Sequence, residues 1–280
     1  MEDFRFKQFS VSHRHSFKVG TDAVLLGALT PVINSISRHC ERNEVIQSSF
    51  FSTEAAPFGS PEGGKTQSFT EGKRALDIGC GSGIIALMLL QRGVSSAVGI
   101  EIDLLAAAEA AENVRRSIWG DRIDIVCGDF RDLSAVRPSG FFDLIVSNPP
   151  FFSKSLKSPD SKRNATRHND EILPFERLIQ NAAAVLADNG LFSLILPVPE
   201  AEIFLQKAAS CHLFPVEIHH IFSKPHKPES RQIVVLKKQA SPQPFVEKSL
   251  CVYQSDGSYS EEYKALTAEF YLGRANALKF

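Results

Sequence analysis

Residues 74–103 read RALDIGCGSGIIALMLLQRGVSSAVGIEID, and this stretch decides the fold. Ala75-Leu76-Asp77-Ile78 is a short, mostly apolar run that ends in glycines, the mark of a buried strand. Gly79 and Gly81 let the backbone approach a ligand without a Cβ in the way, and a positive φ is open to them. Gly83 lets the following helix, Gly83 to Arg92, pack closely against the strand. The first N–H groups of such a helix have no partner inside it. Ala97 to Ile102 is a second strand, and it ends in Glu101 and Asp103.

The same alternation continues downstream. Leu104, Ala107, Ala108, Ala111 and Val114 recur at helical spacing and predict a helix with that face inward. Ile123 to Cys127 and Phe142 to Ser147 read as a third and a fourth strand. Phe175, Leu178, Ile179 and Ala182 mark another amphipathic helix, Leu191 to Leu196 a fifth strand, and a helix is expected near Glu200–Ser210. Pro215–Phe222 and Arg231–Leu236 then read as two strands with no helix between them, joined by the proline-bearing loop Ser223–Ser230. Alternating β and α units predict an α/β fold: a seven-stranded, mostly parallel sheet with helices on both faces and a C-terminal antiparallel hairpin.

Upstream of the core, residues 1–33 form a segment rich in aromatic and basic side chains. Within it Val19-Gly20-Thr21-Asp22 precedes a short helix, Ala23 to Leu29, for which Thr21 or Asp22 suits the N-cap. Residues 34–73 are rich in Ser, Gly, Glu and Thr without periodicity, and read as a disordered insertion with no catalytic role. Residues 74–238 are the core, and 239–280 an extension of the same domain.

Composition narrows the class. The chain has 280 residues, 43% of them hydrophobic and 22% charged, so it can bury a full core without disulfides or a structural metal. A net charge of -1 excludes a wholly basic nucleic-acid coat but not local basic patches. The five cysteines lie 40 or more residues apart, so no zinc or CxxC spacing exists and reduced thiols are expected. The start, MEDFRFKQFS, has no apolar core, and the apolar run Ile84–Leu90 is far short of the ~20 residues of a membrane span. A soluble, cytoplasmic protein is expected.

Three strand ends carry chemistry. The spacing after the first is GxGxG with Asp77 just ahead, and a carboxylate there suits a cationic ligand better than a pyrophosphate. Glu101, at the end of the second strand, stands where an acid accepts hydrogen bonds from ribose hydroxyls, with Ile102 beside it. Asp129 and Phe130 end the third: an acid for an exocyclic amine and an aromatic ring to stack on adenine. These features together resemble the class I S-adenosylmethionine-dependent methyltransferases, which have a Rossmann-like core. The resemblance covers roughly residues 74–238. It implies S-adenosyl-L-methionine as cofactor, with Asp77, Gly79, Gly81 and Gly83 at its methionine moiety and Glu101 at its ribose.

The fourth strand runs into Asn148-Pro149-Pro150-Phe151-Phe152. Two prolines fix φ and remove two N–H donors, leaving carbonyls free to face a substrate. The Asn side chain adds an acceptor, so a planar amine could give both its protons here. The stretch resembles the NPPY/F motif of methyltransferases acting on planar nitrogens. By that resemblance Asn148 orients the amine, Pro149 lends its carbonyl, Pro150 completes the turn, and Phe151 stacks on the base; Asn148 also borders the cofactor.

The amine could belong to adenine, guanine or a glutamine side chain. Protein-glutamine methyltransferases carry a helical N-terminal domain for which residues 1–33 are too short. DNA adenine enzymes carry a target-recognition domain, and ribosomal guanine enzymes a duplicated first half; neither is evident. The bacterial tRNA(Val) adenine-N6 methyltransferase family is similar over most of the chain. The similar segments are Phe4–Phe9, Phe17–Ala23, Leu76–Gly83, Asn148–Phe152, Arg163–His168 and Tyr259–Leu272. By that resemblance Lys18, Gly20, Thr21 and Asp22 line the cofactor's edge, and the substrate is adenosine 37 of a tRNA. Residues 34–73 depart from the family, which joins these parts by a short link. Methylation of another planar amine, in rRNA or protein, and a non-catalytic RNA-binding role remain as alternatives.

Two cationic stretches suit a tRNA partner. Lys154, Lys157, Lys162, Arg163, Arg167 and His168 stand against the single acid Asp160. His219, His220, Lys224, His226, Lys227, Arg231, Lys237 and Lys238 form the second set, against Glu229. A loop adenosine must splay out to reach a pocket of this kind. The histidines show no metal-ligand spacing, and no metal, membrane or obligate protein partner is expected.

Overall fold

The computed structural model describes residues 3–16, 19–32, 72–132, 138–149 and 175–272. The expected insertion at 34–73 lies outside them except for its last two residues. In chain order the elements are β1 (Phe4–Arg5), β2 (Ser10–Val11), α1 (Thr21–Leu29), β3 (Arg74–Ile78), α2 (Ile84–Gln91), β4 (Ser96–Glu101), α3 (Leu104–Arg115) and β5 (Ile123–Cys127). There follow β6 (Phe142–Ser147), α4 (Phe175–Val185), β7 (Leu186–Leu196), α5 (Val198–Ala208), β8 (Leu213–Phe222), β9 (Glu229–Lys238), β10 (Val246–Cys251) and α6 (Glu261–Thr267).

One sheet organises the molecule, in the order β10-β8-β9-β7-β6-β3-β4-β5. All neighbours are parallel except β9, which runs antiparallel to both β7 and β8. Its apolar side chains feed two cores, one on each face. On one face α1 and α2 pack with Val114 of α3 and Tyr263 of α6; on the other α4 and α5 pack through Leu178, Ile179, Ala182, Ala201 and Phe204. Ile84 to Leu90 of α2 are all buried, so that helix is apolar all round. Each such aliphatic side chain stabilises the fold by about 1.5–3 kcal/mol. Among the described residues no helix is long and apolar enough to cross a membrane.

The structure adds to or alters four expectations. The sheet has an eighth strand, because β10 pairs in parallel with the outer side of β8, Val246 opposite Glu217 through Cys251 opposite Phe222. Four of its six side chains are exposed, so no apolar alternation announced it. On α3 the inward face is turned from the expected one: Leu104 is 68% exposed and Ala108 and Ala111 are exposed, while Ala107 and Val114 are buried as expected together with Glu109 and Asn113. The two polar side chains are drawn inward by the N-terminal segment. The N-cap of α1 is the extended Gly20, with Thr21 and Asp22 in the first turn and no side-chain cap. Gly83, at φ 78°, faces Ala110 and Val114 of α3, not the strand.

The ends of the chain are tied together. Lys7 gives its N–H to Phe270 O and its Nζ to Ala268 O. Tyr253, Tyr259 and Tyr263 stack in succession with centroids 5.1 and 4.7 Å apart. Tyr263 then meets the Tyr271 hydroxyl at 3.2 Å, and Tyr271 stacks on Phe6. Ser260 starts α6 by accepting from Tyr263 N–H, with Glu261 and Glu262 in the first turn.

Candidate active site

The crevice forms where β3, β4, β5 and β6 end side by side, and main-chain bonds sew those ends together. Gly79 and Cys80 donate to Ile100 O at 2.9 and 3.1 Å, and Gly128 donates to Glu101 O at 2.9 Å. Gly79, Gly81 and Gly83 have φ of 70°, 53° and 78°, a region closed to most side chains. A Cβ built on Gly79 or Gly81 would meet nothing within 4 Å, so the loop borders open space.

Asp77 sits beneath that loop, fully buried. Its Oδ2 accepts Ala86 N–H at 3.2 Å, satisfying one of the unpartnered donors of the first turn of α2. Its Oδ1 is buried with no hydrogen-bond partner among the described residues. Burial pushes the carboxyl up to about 7, against the Ala86 bond and with help from the charge of Glu101. Such an oxygen is suited to a cation brought in from outside.

Glu101 holds both oxygens at the crevice: Oε2 accepts from Gly81 N–H and Oε1 from Asp103 N–H, each at 3.0 Å. Ile102 beside it is 64% exposed, an apolar surface at the rim. Asp129 is half-buried and engaged by its own turn, accepting from Arg131 N–H at 2.8 Å and from the Arg131 guanidinium. Burial acts to raise its pKa, but these bonds prevail and hold the carboxyl below its usual range. Phe130 is 5% exposed and packs in the core with Val98, Ile100, Leu178 and Ile179. It is therefore buried in the core and does not present the free stacking face expected.

Asn148 and Pro149 leave β6 half-buried. Ser147 stands opposite Ile78 in the β3–β6 register and donates its hydroxyl to Ile78 O at 3.0 Å. Asn148 thus follows the end of β6 as Gly79 follows the paired end of β3. Pro150, Phe151, Phe152 and the cationic stretch Lys154, Lys157, Lys162, Arg163, Arg167 and His168 lie outside the described residues, as does Lys18.

The second cationic set is dispersed. His219 is buried beside Glu217, and burial lowers its pKa. His220 lies between Glu229 and Glu247. Lys238 donates to Ala183 O and Leu186 O at the end of α4, at the opposite edge of the sheet from Asn148, and Lys237 lies beside it. Lys224, His226 and Lys227 remain at the turn between β8 and β9, on the crevice side, and Arg231 binds Asp22 at 3.1 Å.

Sequence reasoning missed Glu109, Asn113 and Arg231 as site builders. Glu109 and Asn113 hold residues 12–16 against α3, and Asn113 also donates to Ser82 O in the glycine loop at 3.0 Å. A polar pair at i, i+4 in an alanine-rich helix was the available signal.

The Methyltransferase small domain family matches residues 65–200. A tRNA1(Val) (adenine(37)-N6)-methyltransferase of Bacteroides fragilis is 40% identical over 273 residues, 96% of this chain and 97% of the relative. Its namesake in Yersinia pestis is 34% identical over 96% of this chain and 93% of its own. The crystal structure of a predicted O-methyltransferase from Agrobacterium tumefaciens superposes with a TM-score of 0.59 at 16% identity, covering 91% of this chain and 99% of that one, which shows a shared fold.

Proposed function

The chain belongs to the tRNA1(Val) (adenine(37)-N6)-methyltransferase family, and from that premise we propose that it moves a methyl group from S-adenosyl-L-methionine to N6 of adenosine 37 in tRNA(Val). The observation that carries the reading is that Asn148 and Gly79 follow the paired ends of the adjacent strands β6 and β3, which puts a candidate amine acceptor at the same end of the sheet as the glycine cradle. A cytoplasmic location follows from the substrate.

The residues present fit the cofactor. The unpartnered Asp77 Oδ1 favours its cationic methionine end, and the space before Gly79 and Gly81 admits it. Gly83 sets the course of α2 behind the loop. Glu101 would accept hydrogen bonds from the ribose hydroxyls, and Ile102, Asp129 and Phe130 would border the adenine. The first turn of α1, with Gly20, Thr21 and Asp22 and no side-chain cap, offers N–H groups for a carboxylate, with Lys18 next to it in sequence. When bound, the cofactor supplies an electrophilic methyl group on sulfur. The protein's part is positioning. Asn148 Oδ1 and the Pro149 carbonyl accept the two amine hydrogens, which turns the nitrogen lone pair toward the cradle and makes it a better nucleophile. The motif's next residues are Pro150, which has no N–H to donate, and Phe151, whose ring would stack on the flipped base. Lys154, Lys157, Lys162, Arg163, Arg167 and His168 would take tRNA phosphates.

The test is incubation with methyl-labelled S-adenosylmethionine and tRNA lacking the modification, rRNA in parallel, followed by digestion to nucleosides. Label in N6-methyladenosine from tRNA is expected. Label confined to rRNA, or in a different nucleoside, would overturn the tRNA assignment.

A further inference from the structure

Helix α3 buries a carboxylate and an amide while exposing Leu104 and Leu105. Burying a charge is costly unless hydrogen bonds satisfy it. Here they do. Glu109 Oε1 accepts from Ser12 Oγ at 2.7 Å and from Arg14 N–H, and Oε2 accepts from His15 N–H at 3.0 Å and Ser16 N–H at 2.9 Å. Burial pushes its pKa upward, but the four bonds outweigh that and hold it at about 2. One turn on, Asn113 treats Ser12 as a strand partner, accepting its N–H at 2.8 Å and donating to its carbonyl at 2.9 Å. The same Asn113 amide donates to Ser82 O at 3.0 Å.

These contacts link three pieces of chain: α3, residues 12–16, and the glycine loop. Gly83, which ends that loop, rests on Ala110 and Val114 of the same helix. A few residues later the chain is fixed again at α1, whose first turn is tied to β9 through Asp22 and Arg231. The N-terminal segment is therefore anchored on both flanks of the glycine loop, by α3 on one side and β9 on the other.

We infer that Glu109 and Asn113 are positioning residues for the cofactor: by fixing residues 12–16 against α3 and the glycine loop, they set the affinity for S-adenosylmethionine and leave the transfer step itself untouched. The inference rests on reading the glycine loop as the cofactor cradle. Neither side chain needs to touch the ligand.

The test uses Glu109→Gln, Asn113→Ala and the milder Ser12→Ala in the full-length protein. Gln cannot serve the four donors that meet the carboxylate, because one of its two terminal groups is itself a donor. Calorimetric titration with S-adenosylhomocysteine is expected to show Kd raised about tenfold for Glu109→Gln and Asn113→Ala, and about threefold for Ser12→Ala. With labelled S-adenosylmethionine, KM should rise in step while kcat at saturation stays within about threefold. Lower thermal stability with unchanged Kd and KM would assign these residues a purely structural role and overturn the inference. So would a fall in kcat at unchanged KM. Should Glu109→Gln fail to fold, Ser12→Ala decides, since it removes one bond and no buried bulk. The binding arm contains no RNA, so an unchanged Kd defeats this inference while methyl transfer to tRNA by the wild type tests the functional reading separately.

Discussion

Within the glycine loop and the ends of β3 and β4, the contacts that shape the site join residues near each other in sequence. Gly81 reaches Glu101, Asp77 reaches Ala86, and Gly79 reaches Ile100. On the β7–β9 side the shaping contacts come from far along the chain: Arg231 meets Asp22 across 209 positions, and Ser193 meets Thr30 across 163. The loop is a cradle whose own bonds form within the strand–loop–helix–strand unit, with residues 12–16 docked behind it on α3. The β7–β9 side is assembled only when the ends of the chain dock. Substitutions in the local half should therefore act on one step each, whereas substitutions in the assembled half should act through distant partners.

The sharpest break of that comparison is at Asn148, which stands on the seam. Asn148→Ala should lower kcat by roughly 10²–10³, the scale of losing a hydrogen-bond acceptor aimed at the reacting group, with the Kd for S-adenosylhomocysteine within about twofold of wild type. Single-turnover transfer plus calorimetry reads both. A parallel loss of cofactor affinity would mean that the seam is not a boundary between binding and chemistry.

Next in size is the cradle. Gly81→Ala places a methyl group into the space the loop borders and forces a side chain onto a backbone at φ 53°. The left-handed region costs a non-glycine residue about 1–2 kcal/mol, so the Kd should rise about tenfold or more, with Asn148-dependent chemistry preserved at saturation. Titration of purified variants is sufficient, and an unchanged Kd would show that the loop can relax.

Asp77 sharpens the comparison through pH. Because its carboxyl is pushed up to about 7, the free protein holds a proton there below that pH. A cationic ligand favours the carboxylate and expels that proton. Affinity for S-adenosylmethionine should thus rise with pH up to about 7 and level off above it, while Asp77→Asn flattens the profile. Folding stability runs the other way: the contribution of a raised pKa is fully present below the ordinary value of 3.8 and is lost as pH rises through about 7. Calorimetry near pH 6 in buffers of different ionisation heat counts the released proton. No release would separate Asp77 from the ligand.

The legibility of the chain divides along the same line. Asp77, the three glycines, Glu101 and Asn148 could be found by sequence because a strand end and the residues just past it are contiguous, and the parallel sheet puts successive strand ends on one edge. The inward face of α3 was misjudged because apolar periodicity cannot see that Glu109 and Asn113 acquire partners in residues 12–16, 93 to 101 positions away. β10 escaped because its side chains are mostly exposed and only its main chain pairs. Phe130 looked like a stacking face because sequence shows residue type, not burial. The cations of 219–238 looked like one patch because proximity along an antiparallel hairpin hides that its two ends lie at opposite edges of the sheet.

The smallest expected effect tests the assembled half by itself. Arg231 Nε and Asp22 Oδ2 are 3.1 Å apart with both side chains about one-third exposed, 34% and 32%. A pair that solvated couples by only about 0.5–1 kcal/mol. Arg231→Gln and Asp22→Asn should each raise the cofactor Kd about two- to fivefold, because each frees the first turn of α1 from β9. The double variant should be no worse than the poorer single one, since the second change finds no partner left to lose. Four titrations close the cycle. Additive losses would mean that Asp22 and Arg231 reach the ligand by independent routes, and the far side of the crevice would then be a binding surface in its own right instead of a support for α1.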